Sequence, residues 1–112
     1  MSDPVALYDE ADKLKDAGKL EEAVAKLKES LAGDANYALA HSALAVVLQK
    51  LGRHEDAIAH ARRVCEIEPN DPFSFTALSV TYQRAFAGTN NQQFIRMAED
   101  AMEQSRMLQS GH

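Results

Sequence analysis

The sequence repeats at an interval of 34 residues, and that period constrains the fold more than any other feature. Leu14, Leu48 and Tyr82 stand in step, as do Ala11, Ala45 and Ser79, Gly18 and Gly52, and Ala23 and Ala57. GKLEEAVAKL from Gly18 and GRHEDAIAHA from Gly52 agree in Gly, basic, acidic, acidic, Ala, aliphatic order. A period of this length marks stacked supersecondary units, each unable to bury its apolar face alone. Three such units occupy approximately residues 4–37, 38–71 and 72–110 of the 112, so a single domain over 1–112 is expected.

Apolar residues recur at helical spacing throughout, and no segment alternates apolar and polar as a half-buried strand would. An all-α fold follows, with helices expected at 4–17, 20–32, 36–51, 54–67, 72–86 and 93–109. Ser2 or Asp3 before Pro4, and Asp71 before Pro72, read as helix starts, because proline is tolerated at the first helical position and an oxygen side chain caps free N–H groups. Gly18 and Gly52 read as stops. The acid pairs Glu21-Glu22 and Glu55-Asp56 then open the partner helices, where the macrodipole favours negative charge.

Small residues at fixed places, a turning Gly and the period together resemble the tetratricopeptide repeat, whose unit is two antiparallel helices. Unit 2 carries Leu44, Ala45, Leu48, Gly52, Ala57, Ala61, Val64 and Pro69; unit 1 carries Leu7, Ala11, Leu14, Gly18, Ala23, Leu27 and Ser30, with Ala35 in place of the terminal Pro. Unit 3 keeps Phe75, Leu78, Ser79 and Tyr82 but has Phe86 where Gly is due. If Ala98 stands for Ala23 and Ala57, seven residues are inserted around AGTNNQQ, and an extended inter-helix connection is expected there. The resemblance implies an alpha-alpha superhelix of three hairpins, acting without catalysis as a protein-interaction module.

It also implies a concave groove lined by the first helix of each unit. Carried over by position, the groove would present Val5, Tyr8, Asp9 and Asp12, then Leu39, Ser42, Ala43 and Val46, then Phe73, Thr76, Ala77 and Val80. Specificity would come from Tyr8, Asp12, Ser42, Thr76 and Gln83. One branch of the family holds acidic chaperone tails with a clamp of Lys, Asn, Asn, Lys and Arg. Tyr8, Asp12, Ala43, Phe73 and Ala77 stand at the matching positions, so no cation offsets desolvation of a carboxylate and a largely apolar groove is expected instead.

Charge and composition exclude several classes. Up to Tyr37 nine acids face five lysines, and the net charge is -5. A nucleic-acid binder needs a basic stripe, and only the pair Arg62-Arg63 breaks the pattern. No apolar run approaches the ~18–20 residues that span a bilayer, and the acidic start lacks a signal-peptide pattern. With one cysteine, Cys65, no internal disulfide can form, and a cytoplasmic location is expected. His54 and His60 lie about 240° apart around a helix, so neither a metal nor a cofactor is expected. His41 sits at a large-residue position and reads as a partly buried packing residue. Cys65 lacks a partner constellation and reads likewise.

On the last helix, apolar and small residues from Met97 to Ile95, counting Ser105, cover an arc of about 160°, wider than the roughly 100° that one supporting hairpin needs. Ile95 and Met102 lie near one edge of it. They are the expected association surface of a possible homodimer, the structural alternative to peptide binding.

Overall fold

In the computed structural model, which describes residues 3–111, six helices follow one another: α1 (Pro4–Asp16), α2 (Leu20–Gly33), α3 (Ala38–Lys50), α4 (His54–Ile67), α5 (Pro72–Thr89) and α6 (Gln93–Gln109). The short connections make sequential helices antiparallel neighbours, so α1, α3 and α5 run parallel to one another as first helices of three hairpins. The assembly measures 40 × 33 × 19 Å. Among the described residues no helix is long and apolar enough to cross a membrane.

Local chemistry sets the ends of these helices. Asp3 accepts from the Val5 N–H at 3.1 Å and Asp71 from the Phe73 N–H at 3.0 Å, each just ahead of a proline. The alternative cap at Ser2 lies outside the described residues. Gly18 and Gly52 both adopt φ 79°. Around Gly18 the Lys19 N–H reaches the Leu14 carbonyl at 2.8 Å and the Gly18 N–H reaches that of Lys15 at 3.0 Å. Arg53, Leu48, Gly52 and Gln49 repeat the pattern in the middle unit. This is the left-handed termination that a residue with a Cβ adopts only under strain.

The seven extra residues of unit 3 do not lengthen its connection. α5 has 18 residues where α1 and α3 have 13, and α6 begins two residues earlier in register than α2 and α4. The turn is Asn90 to Gln92, as short as those at Ala17 to Lys19 and Leu51 to Arg53. Without Gly at the Phe86 position the helix continues until Asn90, which takes the left-handed conformation at φ 61°. The expected extension of unit 3 is therefore a longer hairpin. Its added turn brings Gly88 against His54 so closely that a methyl group there would collide with the imidazole.

Small residues let the helices of each hairpin approach. Ala23 and Ala57 are fully buried, and Ala11, Ala45 and Ser79 at the matching places of the first helices are buried as well. In unit 3 the Ser79 hydroxyl donates to the Ala98 carbonyl at 2.8 Å, so the polar atom placed at an alanine position is satisfied. Ser30 and Ser105, equivalent once the insertion is allowed for, are likewise buried and bonded. Ser30 donates to the Pro4 carbonyl at 2.8 Å, and Ser105 shares a 2.8 Å hydrogen bond with Thr76. Leu27, Leu44, Val47 and Leu48 fill the seam between the first two hairpins; Ile58, Cys65, Leu78 and Tyr82 fill the second seam.

A polar pair lies beside the first seam. His41, 8% exposed, puts Nε2 2.9 Å from the Ala35 carbonyl and Nδ1 3.0 Å from Nδ1 of His60. Since a carbonyl only accepts, Nε2 of neutral His41 carries the proton, its Nδ1 accepts, and His60 donates from Nδ1. This pair on α3 and α4 was not visible from spacing within either helix. Burial, then the neighbouring His41 and Lys28, hold His60 below the ordinary imidazole value, against a smaller opposing pull from Asp56.

Two consequences can be measured. Ala57→Leu should overpack the middle hairpin and cost on the order of 1–3 kcal/mol in urea unfolding; an unchanged midpoint would contradict the close packing described here. The lowered His60 value means that the unfolded chain binds more protons than the folded one below about pH 6.5. Stability should therefore fall as pH drops from about 7 to about 5, and His60→Asn, which keeps a donor near Nδ1, should flatten that part of the pH profile.

Candidate functional site

The parallel helices α3 and α5 leave a cavity of about 440 Å³ between them, floored by α4. From α3 it receives Leu39, Ser42, Ala45, Val46 and Gln49; from α5, Phe73, Ala77, Val80 and Arg84. Helical spacing explains the set, because residues three and four apart share a face. Four large apolar side chains stay open to solvent here: Leu39 at 54%, Val46 at 46%, Phe73 at 74% and Val80 at 38%. Small residues, Ser42, Ala45 and Ala77, form the middle and make the hollow. An apolar concavity with polar groups at its margins is the usual form of a binding site.

The carried-over positions thus divide into groups. Leu39, Ser42, Val46, Phe73 and Val80 come together in this cavity. Val5 stands exposed on α1, while Tyr8 and Asp12 lie with Ala43 and Val47 around a crevice of only about 10 Å³. That half of the concave side is closed because Tyr8 packs edge-on against Tyr37 at 5.8 Å and Asp12 pairs with Lys15 at 3.1 Å. Thr76 bonds Ser105 on α6, and Gln83 donates at 3.2 Å to Ser79, one turn back on α5. Residues not anticipated for the groove are Gln49 and Arg84 at one end and Glu68 and Asp71 at the other. Arg84 is signalled in the sequence by standing four residues after Val80, one helical turn along the same face.

Ile95 and Met102 also come together, beside Phe86, along a shallow groove between α5 and α6 that Glu99 and Arg106 flank. In register Met102 corresponds to Leu27 and Ala61, which are 1% and 3% exposed beneath the hairpin that follows each. In unit 3 the position is half-buried and Ile95 is 39% exposed.

Among the described residues no three or more His, Cys, Asp or Glu side chains converge as metal ligands. Cys65 is buried, and its thiol donates to the Ser74 carbonyl at 3.3 Å. Burial and, secondarily, Glu66 push that thiol up to about 11, opposite to the lowered value of a nucleophilic cysteine.

Family comparison agrees with the hairpin geometry. The tetratricopeptide repeat model matches residues 14–77, more than half of the sequence. The chain belongs to the tetratricopeptide repeat family. A crystal structure of MamA superposes on this repeat protein with TM-score 0.82 at 17% identity, covering 96% of this chain and 59% of that one. A second MamA structure gives 0.72 at 18% identity over 94% and 57%. The second TPR of Spaghetti (RPAP3), bound to the HSP90 peptide SRMEEVD, gives 0.77 at 19% identity over 96% and 93%. Such identities establish the shared fold; the chain spans about three-fifths of the length of the MamA chains. No curated protein sequence matches it.

Proposed function

We propose that this tetratricopeptide repeat chain is a non-enzymatic interaction module whose α3–α5 groove takes an apolar peptide segment of another protein, most simply in the cytoplasm. One observation carries the reading: four large apolar side chains stay exposed around a hollow of small ones, where a repeat stack could have closed on itself as it does at Tyr8 and Tyr37. Contiguous exposed apolar surface of this kind marks interaction sites. Affinity would come from burying Phe73 and Leu39 at one end and Val46 and Val80 at the other. Nucleic acid and membrane are not part of the proposal, since Arg62-Arg63 makes no basic stripe and the net charge is -5.

A neighbour in fold carries the peptide SRMEEVD. We do not extend that ligand to this chain, because Phe73 and Ala77 stand where the clamp resemblance calls for cations and Asp12 is already paired with Lys15. Selection of a random peptide library on the wild-type protein should therefore enrich apolar sequences. Val46→Asp, exposed and hence tolerated by the fold, should weaken the selected peptides at least tenfold, while SRMEEVD should show no saturable binding at micromolar concentrations. Enriched peptides indifferent to Val46→Asp, or saturable SRMEEVD binding, would overturn the reading.

A second reading has its own observation. Met102 is half-buried where its counterparts Leu27 and Ala61 are covered, Ile95 beside it is 39% exposed, and we propose that this strip seats a second copy of the chain in a homodimer. Sedimentation should then give a dimer mass that falls to the monomer in Ile95→Glu/Met102→Glu with the melting transition retained. A wild type that is monomeric at high concentration would remove this reading.

A further inference from the structure

We infer that the α3–α5 groove selects an extended segment with opposite charges at its two ends, a basic residue over Glu68 and Asp71 and an acidic one over Arg84. The inference rests on the groove reading above and adds the chemistry of the occupant.

The charges are placed by topology. Glu68 caps α4 and Asp71 caps α5, so both sit at the end where α3 and α5 begin, beside Leu39 and Phe73. Arg84 lies eleven residues after Phe73 on α5, at the end where Gln49 closes α3. At 1.5 Å per residue these poles stand roughly 16 Å apart along the groove. Among the described residues none of the three charges takes part in an ion pair, whereas six cation–carboxylate contacts form elsewhere on the molecule. Asp71 has one oxygen engaged by the Phe73 N–H at 3.0 Å, which fixes the carboxylate at the rim. A ligand carrying two acidic ends would meet repulsion at one pole, and one carrying two basic ends at the other.

The dimensions argue for an extended occupant. A helix needs about eleven residues to span the roughly 16 Å between the poles. A strand-like segment covers it in about five residues, with alternate side chains directed into the hollow. The small residues Ala45 and Ala77 in the middle of the groove suit the central side chain, and Phe73 and Val80 flank the outer two.

Four blocked heptapeptides test this, each with a core of alternating Leu and Ser and ends that are Lys and Glu, Glu and Lys, Lys and Lys, or Glu and Glu. Using both mixed orders makes the result independent of chain direction. By fluorescence titration at low salt, one mixed peptide should bind the wild-type protein about two- to fivefold more tightly than either like-charged peptide, the range for exposed pairs. Arg84→Glu should transfer the preference to the Lys and Lys peptide, whereas Glu68→Lys, which leaves Asp71 in place and that pole without net charge, should bring the Glu and Glu peptide level with the favoured mixed one. Equal affinities for all four, with binding still lost in Val46→Asp, would overturn the charge selection and leave the groove reading standing. Binding only by a helix-stapled peptide with the same charges would overturn the extended form. If none of the peptides, extended or stapled, binds, the groove reading fails and this inference with it.

Discussion

Everything above the single hairpin depends on how closely its two helices approach, and alanine sets that distance. Ala23 and Ala57 are fully buried at matching places, with Ala11 and Ala45 buried on the first helices, so the same small side chains sit inside both hairpins. Matching side chains let one hairpin stack on the next without distortion, since packed interiors transmit small changes in volume. Unit 3 keeps the approach by another route, with Ser79 in the alanine place and its hydroxyl tied to the Ala98 carbonyl. The groove is a product of the same constraint. First helices held parallel by identical hairpins expose the same face in each unit, and small residues on that face, Ser42 and Ala77, become a hollow.

The fold was legible because the period is written in residues whose roles are local. Gly18 and Gly52 announce left-handed helix ends, Asp3 and Asp71 announce starts, and each does its work within a few residues of the chain. Phe86 was legible only in part. Its mismatch with the Gly position shows that residues are inserted, but helix and loop compete for them, and spacing alone does not tell which wins. Helical continuation satisfies the backbone of α5 as far as Thr89 and leaves the three-residue turn unchanged, so the helices absorb the insertion.

The groove was less legible than the fold, because equivalence of position is not equivalence of surroundings. Ser42 and Thr76 are in register, yet Ser42 faces the cavity while Thr76 bonds Ser105 on α6. Tyr8 and Asp12 match groove positions, but an aromatic contact with Tyr37 and a pair with Lys15 close their part of the concave side. The Asp12–Lys15 pair lies three residues apart on α1, but the Tyr8–Tyr37 and Thr76–Ser105 contacts join different elements, which a pattern read along one helix cannot show. His41 and His60 were missed for the same reason: each looks solitary on its own helix, and only the antiparallel return of α4 sets their Nδ1 atoms 3.0 Å apart.

That histidine pair and the groove lie on the same helix and share the residues that fix its position. His41 follows Leu39 by two residues on α3, and its Nε2 holds the Ala35 carbonyl in the connection that leads into that helix. The groove wall therefore starts from a segment anchored to both the first hairpin and α4. In the neutral pair His60 donates from Nδ1 to Nδ1 of His41, which ties α3 to α4 beside the groove wall. The start of α3 is thus tied both to the connection before it and to α4, and Leu39, two residues ahead of His41, takes its place at the acidic end of the groove from that anchored segment.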